Sequence, residues 1–175
     1  MWPESYRAKI ARETQKIVME QMQEIKSYIY GLDDLVAVVD ELRQLLERYR
    51  VLTLEGPLGS GKTTLVQELL RAAGVTDTVT SPTFTYLNSY EDGRGRTFYH
   101  FDLYRMGTLD EFLSAGFGEC LEVGNGFVLI EWPAIVMPLL QNGVCHAVLE
   151  YHPEPDKRIL RISCVERTSD VHRLY

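Results

Sequence analysis

Cysteine is scarce in this 175-residue sequence, and its three copies follow no recognisable pattern. Cys120, Cys145 and Cys164 include no C-x-x-C pair, and the four histidines show no metal-ligand spacing. We therefore expect neither a disulfide framework nor a structural zinc site. Three reduced thiols, as in a cytoplasmic protein, are expected instead.

Long hydrophobic runs are absent as well. No stretch of about 18 consecutive apolar residues occurs, so no membrane-spanning helix is expected. The opening segment "MWPESYRAKIARETQ" has no apolar run of the kind that marks a secretory signal. Hydrophobic residues still make up 45% of the chain and charged residues 25%, which is typical of soluble globular proteins. The sequence thus predicts a cytoplasmic protein with one main domain.

Basic residues are fewer than acidic residues in this sequence. The chain carries 18 Lys and Arg against 25 Asp and Glu, a formal net charge of −7. Residues 1–50 hold 8 basic and 9 acidic side chains, whereas residues 51–175 hold 10 and 16. Because Lys and Arg contacts to phosphates supply most nucleic-acid affinity, direct DNA binding is not expected. If RNA enters the function, we expect a partner protein to hold it.

The hydrophobic pattern that is present predicts an α/β protein. Apolar residues at helical spacing predict an amphipathic helix over residues 5–30, which either packs on the domain or associates with a partner. Further helices are predicted at 35–48, after the loop up to Gly74, and as a short helix with a capping box of Thr108 and Glu111 that ends near Gly116. Strand-like runs occur at 50–55, 83–90, 96–105, 126–132, 146–152 and 158–163. The turn "EDGRG" joins the two aromatic runs as a hairpin.

One segment between a predicted strand and a predicted helix carries chemistry. It reads "GPLGSGKT" and matches the phosphate-binding pattern G-x-x-x-x-G-K-[ST] in full. Its glycines allow backbone N–H groups to approach a phosphate, and the helix N-terminus adds partial positive charge. Lys62 is expected to contact the β- and γ-phosphates, and the Thr63 hydroxyl to bind Mg²⁺. The predicted nucleotide-binding residues are Gly56, Leu58, Gly59, Ser60, Gly61, Lys62, Thr63 and Thr64.

Magnesium at such a loop also requires a carboxylate at the end of a neighbouring buried strand. Glu131 directly follows the apolar run "FVLI", and Asp102 lies in the second apolar run "YHFDLYR". Thr83, in "SPTFT", is a candidate switch residue that senses the γ-phosphate. Arg105 is either an arginine finger acting within its own chain or a salt-bridge partner. Trp132 either packs beside the phosphates or covers the core, and the residue taken alone favours the core.

Other nucleotide-dependent functions are less favoured. GTPases read guanine through N-K-x-D, which is absent, and "DGRG" at 92–95 lies in a polar turn. A small-molecule kinase requires an arginine-rich lid and an acceptor pocket, and the chain after Lys62 has few basic clusters. A binding module that is gated by nucleotide without hydrolysing it remains an alternative.

Four motifs in order, "GPLGSGKTT", "SPTFTY", "HFDLYR" and "IEWP", resemble the bacterial tRNA threonylcarbamoyladenosine biosynthesis ATPase family TsaE, also called YjeE. The resemblance covers residues 35–161. It implies a P-loop NTPase with a mostly parallel central sheet flanked by helices and with an antiparallel hairpin, to which this chain adds an extra N-terminal helix. The expected organisation is an N-terminal helical extension at 1–30, a P-loop ATPase domain at 31–165 and a C-terminal tail at 166–175.

The resemblance also implies a function. Members of the family bind ATP and Mg²⁺ and hydrolyse ATP weakly alone and faster with partners. They support and reset the TsaD–TsaB complex, which makes N6-threonylcarbamoyladenosine at position 37 of tRNAs that read ANN codons. The tRNA would then be contacted indirectly through the complex, which agrees with the acidic charge.

Residue by residue, the resemblance implies metal ligation by Thr63 and Glu131 and a switch role for Thr83. Asp102 either completes the metal shell or orients the attacking water. Trp132 corresponds to the tryptophan beside these acids. One departure is Ala134, which stands where the family commonly has a glutamate after "IEWP", and we assign that position no role.

Overall fold

Seven strands form one mixed sheet in the computed structural model, which describes residues 22–122 and 126–166. The strands are β1 (Gln23–Tyr30), β2 (Val51–Glu55), β3 (Leu87–Glu91), β4 (Thr97–Asp102), β5 (Phe127–Glu131), β6 (Val144–Tyr151) and β7 (Arg158–Val165). The α-helices are α1 (Leu35–Tyr49), α2 (Lys62–Ala73) and α3 (Leu109–Ser114). Short 3-10 helices span Phe117–Glu122, Pro133–Ile135 and Met137–Leu139.

The centre of the sheet is parallel, as the family resemblance implies. The strand order is β1-β7-β6-β2-β5-β4-β3, and the four strands β6, β2, β5 and β4 pair in parallel. The hairpin strand β3 is antiparallel at one edge, and β7 and β1 are antiparallel at the other. Parallel pairing brings the carboxyl ends of β2, β4 and β5 to the same edge of the sheet, where ligands bind in open α/β sheets.

Helices cover both faces of the sheet. On one face, α1 and α2 bury their apolar stripes against β2 and its neighbours, and Leu42, Leu65 and Leu69 are almost fully buried there. On the other face, Phe112 of α3 and Val136 pack against strand residues including Phe101 and Ile130. No helix in the described part of the chain is long and apolar enough to cross a membrane. The two cores hold the parallel strands in register and so position the residues at their ends.

The prediction of a helix through residue 30 is wrong for residues 23–30. This segment is β1, which pairs antiparallel with β7 and places Tyr30 opposite Arg158. The spacing of Ile25 and Ile29 suits a helix, but both side chains are largely exposed, and Tyr30 is the buried one. Because pairing with β7 decides the structure, residues 23–30 belong to the main sheet and not to a separate extension. The rest of the predicted helix, residues 5–21, lies outside the described residues.

The predicted tail at 166–175 begins with a residue that is anchored. Glu166 accepts hydrogen bonds from Arg48 and Tyr49 at the end of α1, each 2.7 Å long. Residues 167–175 lie outside the described part of the chain.

The expectation of three reduced thiols is also wrong. A disulfide joins Cys145 on β6 to Cys164 on β7, and Cys120 is free. The two bonded cysteines lie directly opposite each other in the antiparallel register, with Cα atoms 4.1 Å apart. Their separation of 19 residues forms no sequence motif, so only the strand pairing brings them together.

Candidate active site

The phosphate-binding pattern forms the loop between β2 and α2. The loop ends at Gly61, whose φ of 102° lies in the left-handed region, and α2 begins at the next residue. Gly56 at its start has φ 150°, and a Cβ there would overlap the backbone carbonyl oxygen of Leu149 on β6. Glycine is therefore required at residue 56 for conformation and for close packing against β6. This contact seats the loop on the sheet.

Replacing Gly56 by alanine is expected to lower the free energy of unfolding by about 3 kcal/mol or more, since overpacking and backbone strain add. The loss corresponds to a fall in melting temperature of roughly 6–12 °C for a chain of this size. Gly95 is the matched control, because its φ is also positive at 73° and an added Cβ would meet no atom within 4 Å. Gly95→Ala should cost only about 1 kcal/mol. Equal losses in thermal unfolding would contradict the proposed packing role of Gly56.

The loop opens into a cleft of about 270 Å³. Its loop-side lining is Leu58, Gly59, Gly61, Lys62, Thr63 and Thr64. The remaining lining residues are Ser81, Thr83, Asp102, Tyr104, Glu131 and Trp132. Two predicted residues lie outside this lining: Gly56 packs against β6, and Ser60 is buried, with no hydrogen-bond partner for its hydroxyl among the described residues. The fold thus gathers the other predicted binding residues and all four predicted catalytic residues around one cavity.

Glu131 ends β5 and lies at the floor of this cleft. Its carboxylate is 2% exposed, and both oxygens accept hydrogen bonds. Thr63 Oγ1 donates to Oε2 at 2.9 Å, and His100 Nε2 lies 2.9 Å from Oε1. The predicted hydroxyl and the predicted carboxylate for a metal ion therefore meet directly.

Asp102 ends β4 and lies opposite Glu131 in the parallel register. Its Oδ2 accepts hydrogen bonds from Thr83 Oγ1 at 2.8 Å and from Ser81 Oγ at 3.1 Å. Its Oδ1 accepts the backbone N–H of Tyr104 at 3.2 Å. Asp102 thereby holds residues 81–85, the segment of the predicted switch residue Thr83, at the edge of the sheet. We call these residues the switch segment.

Lys62 is the cation of the cleft and is almost fully buried. Its Nζ donates to the carbonyl oxygens of Gly56 and Pro57 at 2.8 and 3.0 Å and lies 3.9 Å from the ring centroid of Trp132. Burial lowers the pKa of Lys62, and the negative charges of Glu131 and Asp102 oppose that shift. The ammonium is therefore held at the loop by dipoles and by an aromatic face.

Trp132 reaches this position through an unusual backbone conformation. Its φ of 59° and ψ of 58° are left-handed, which is rare for a bulky residue. Its N–H donates to the carbonyl oxygen of Leu54, and its ring lies 4.9 Å from that of Tyr104. Of the two sequence interpretations of Trp132, the position beside the phosphate loop is the one that the structure adopts.

Sequence reasoning missed several residues at the site. His100, Ser81 and Tyr104 contact or line it, and Tyr151 donates its hydroxyl to the Leu58 carbonyl oxygen at 2.6 Å. A signal for His100 and Ser81 existed, because each precedes a predicted site residue by two positions. Arg105 lies outside the cleft lining, with its guanidinium 4.8 Å from the Phe84 ring centroid.

The oxygen atoms that line the cleft fit a magnesium ion that binds together with a nucleotide. Thr63, Glu131 and Asp102 offer the hard oxygen ligands that Mg²⁺ prefers. Across residues 22–122 and 126–166, no group of three or more His, Cys, Asp or Glu could hold a metal ion. Mg²⁺ commonly binds through one or two carboxylates plus substrate phosphates, so a site of this composition does not require more protein ligands.

Comparison with known proteins identifies related chains. The protein-family model "Threonylcarbamoyl adenosine biosynthesis protein TsaE" matches residues 30–160. The tRNA threonylcarbamoyladenosine biosynthesis protein TsaE of Aquifex aeolicus is 34% identical over 149 residues, which cover 82% of this chain and 98% of the relative. The protein of the same name from Treponema pallidum is 43% identical over 90 residues, covering 51% of this chain and 64% of the relative.

A solved structure is similar in fold. The crystal structure of YdiB from Bacillus subtilis is 26% identical, superimposes with a TM-score of 0.55, and is matched over 82% of this chain and 87% of its own. The region matched by the family model contains the phosphate loop and every predicted site residue.

Proposed function

The chain belongs to the TsaE family, and on this premise we propose that it is an ATPase that serves the synthesis of N6-threonylcarbamoyladenosine in tRNA. The observation that carries the proposal is the meeting of Thr63, Glu131 and Asp102 beside the phosphate loop. A hydroxyl and two strand-end carboxylates next to such a loop suit ATP bound together with Mg²⁺.

Nucleotide binding is assigned to the phosphate loop and to the start of α2. The backbone N–H groups of the loop and the helix N-terminus favour the negative phosphates. Lys62 binds the β- and γ-phosphates with its ammonium group. Thr63 and Glu131 hold Mg²⁺, which supplies neutralisation of charge on the phosphate oxygens when it is bound.

Asp102 acts in hydrolysis by placing the switch segment. Two hydroxyls of the segment, Ser81 and Thr83, donate to one oxygen of Asp102, and its other oxygen holds the chain at Tyr104. Asp102 contacts the predicted switch residue Thr83, whereas Glu131 contacts Thr63, the predicted metal hydroxyl, so we assign Asp102 to orienting Thr83 and the attacking water. This division of roles leaves Glu131 as the principal metal carboxylate.

The expected partners are the TsaD and TsaB proteins, in the cytoplasm. ATP hydrolysis resets their complex between rounds of tRNA modification, and the complex holds the tRNA. The net charge of −7 supports this arrangement, because an acidic chain binds a polyanion poorly by itself.

Phosphate release from ATP by the purified chain tests the proposal. We expect slow turnover by the chain alone and stimulation of at least about tenfold by the TsaD–TsaB pair, equal to about 1.4 kcal/mol of barrier. The stimulated reaction with Glu131→Gln is the control for a contaminating ATPase. Rapid turnover that the pair leaves unchanged would contradict the resetting role, and phosphate transfer to a metabolite would favour a kinase.

A further inference from the structure

A buried histidine lies directly behind the candidate metal carboxylate. His100 on β4 is fully buried, although histidine is commonly at least partly exposed. Side chains two residues apart on a strand point to the same face, so His100 shares a face with Asp102. Asp102 lies opposite Glu131 on β5, and His100 lies opposite Leu129. His100 therefore lies two residues further from the strand ends than Asp102 and Glu131, on the interior side of the cleft floor.

The two oxygens of Glu131 are divided between the protein interior and the cleft. Oε1 lies 2.9 Å from His100 Nε2, inside the core. Oε2 accepts the Thr63 hydroxyl at 2.9 Å, on the side of the phosphate loop. Within the described residues, His100 is the side chain that bonds Oε1. The histidine therefore fixes the rotation of the carboxylate and leaves Oε2 turned toward Thr63.

This contact also decides which ring nitrogen carries the proton. A carboxylate only accepts hydrogen bonds, so Nε2 of His100 must be the donor. Nδ1 has no hydrogen-bond partner among residues 22–122 and 126–166. An unpaired buried group costs free energy, and the loss of a partner is more costly for a charged group than for a neutral one. Among the described residues, Glu131 is therefore the hydrogen-bond partner of the His100 ring.

We propose that His100 is a positioning residue that orients Glu131 for Mg²⁺ and does not itself touch nucleotide or metal. The proposal rests on the proposed function, because it assigns Glu131 to the metal. Donors that hold a ligating carboxylate from behind fix its geometry, and their removal commonly lowers metal affinity by about 10–100-fold. A histidine with a purely structural role would affect stability alone.

The chain offers a matched control in a second buried histidine. His146 on β6 also contacts a glutamate, with Nε2 3.2 Å from Glu55 Oε2, and its Nδ1 lies 2.6 Å from Thr53 Oγ1. Neither of these partners lines the cleft. Removing His146 therefore breaks a histidine–glutamate contact outside the cleft lining, in which the histidine is buried and the Glu55 side chain is 53% exposed.

The test compares His100→Leu, His100→Gln and His146→Leu with the unaltered chain. Leucine removes the donor at nearly the same volume, whereas glutamine returns an N–H near the position of Nε2. Mn²⁺ replaces Mg²⁺, so that electron paramagnetic resonance measures metal affinity in the ADP complex without any turnover. Nucleotide affinity is measured separately in EDTA, and thermal unfolding reports stability.

We expect His100→Leu to lower Mn²⁺ affinity by about 10–100-fold while ADP affinity in EDTA is unchanged. His100→Gln should recover most of that loss, and His146→Leu should lower the melting temperature without changing Mn²⁺ affinity. Unchanged Mn²⁺ affinity in a folded His100→Leu protein, or equal losses for both histidines, would overturn the proposal and leave the proposed function intact. Failure of the unaltered chain to bind ADP with Mn²⁺ would overturn both.

Discussion

Replacement of Lys62 by alanine is expected to weaken ATP binding by about 100-fold, equal to about 3 kcal/mol. The reason is that the charge-assisted hydrogen bonds from Lys62 to the β- and γ-phosphates are lost. No other lysine or arginine among the described residues lines the cleft to replace them. Isothermal titration calorimetry with ATP and Mg²⁺ measures the effect. The free energy of unfolding should change little, because burial already disfavours the ammonium, as its lowered pKa indicates.

Lys62→Met is the matched variant for this prediction. Methionine keeps an unbranched apolar side chain but removes the ammonium that lies over the Trp132 ring, which separates electrostatics from packing. The two variants should lose the same affinity if the charge dominates. Binding of ATP by Lys62→Met at the affinity of the unaltered chain would show that Lys62 acts through packing and that the phosphate assignment is wrong.

Replacement of Glu131 by glutamine is expected to lower partner-stimulated ATP hydrolysis by about 10²–10³-fold while ATP still binds. Glutamine keeps the shape of the side chain but removes the negative charge that faces the metal. In addition, the side-chain amide offers only one oxygen to the two donors, Thr63 and His100, that Glu131 satisfies. Single-turnover phosphate release and fluorescent nucleotide binding separate the two effects.

Glu55→Gln provides the control for this second prediction. Glu55 also ends a parallel strand, but it contacts His146 and lies outside the cleft lining. Its substitution should leave single-turnover hydrolysis unchanged. Hydrolysis by the Glu131→Gln protein at the rate of the unaltered chain would exclude a catalytic role for Glu131. Loss of hydrolysis with function intact in a complementation test would favour a binding module that responds to nucleotide without hydrolysis.

The sequence determined those parts of the site that depend on local backbone physics. The phosphate loop is a continuous segment whose glycines, lysine and threonine act within one strand–loop–helix unit, so its pattern was sufficient to predict it. Glu131 at the end of a buried strand was predictable for a similar reason. An acid that follows four apolar residues is costly unless a function or a partner compensates for it.

The tertiary structure decided the features that depend on strand pairing across the sheet. The parallel register of β4 and β5 places Asp102 opposite Glu131 and brings His100 into contact with Glu131, and these contacts between strands do not follow from spacing within one segment. Pairing with β7 made a strand of residues 23–30, whose apolar spacing suits a helix, and it brought Cys145 opposite Cys164. Local propensities differ by less than about 1 kcal/mol per residue, so non-local pairing and burial override them.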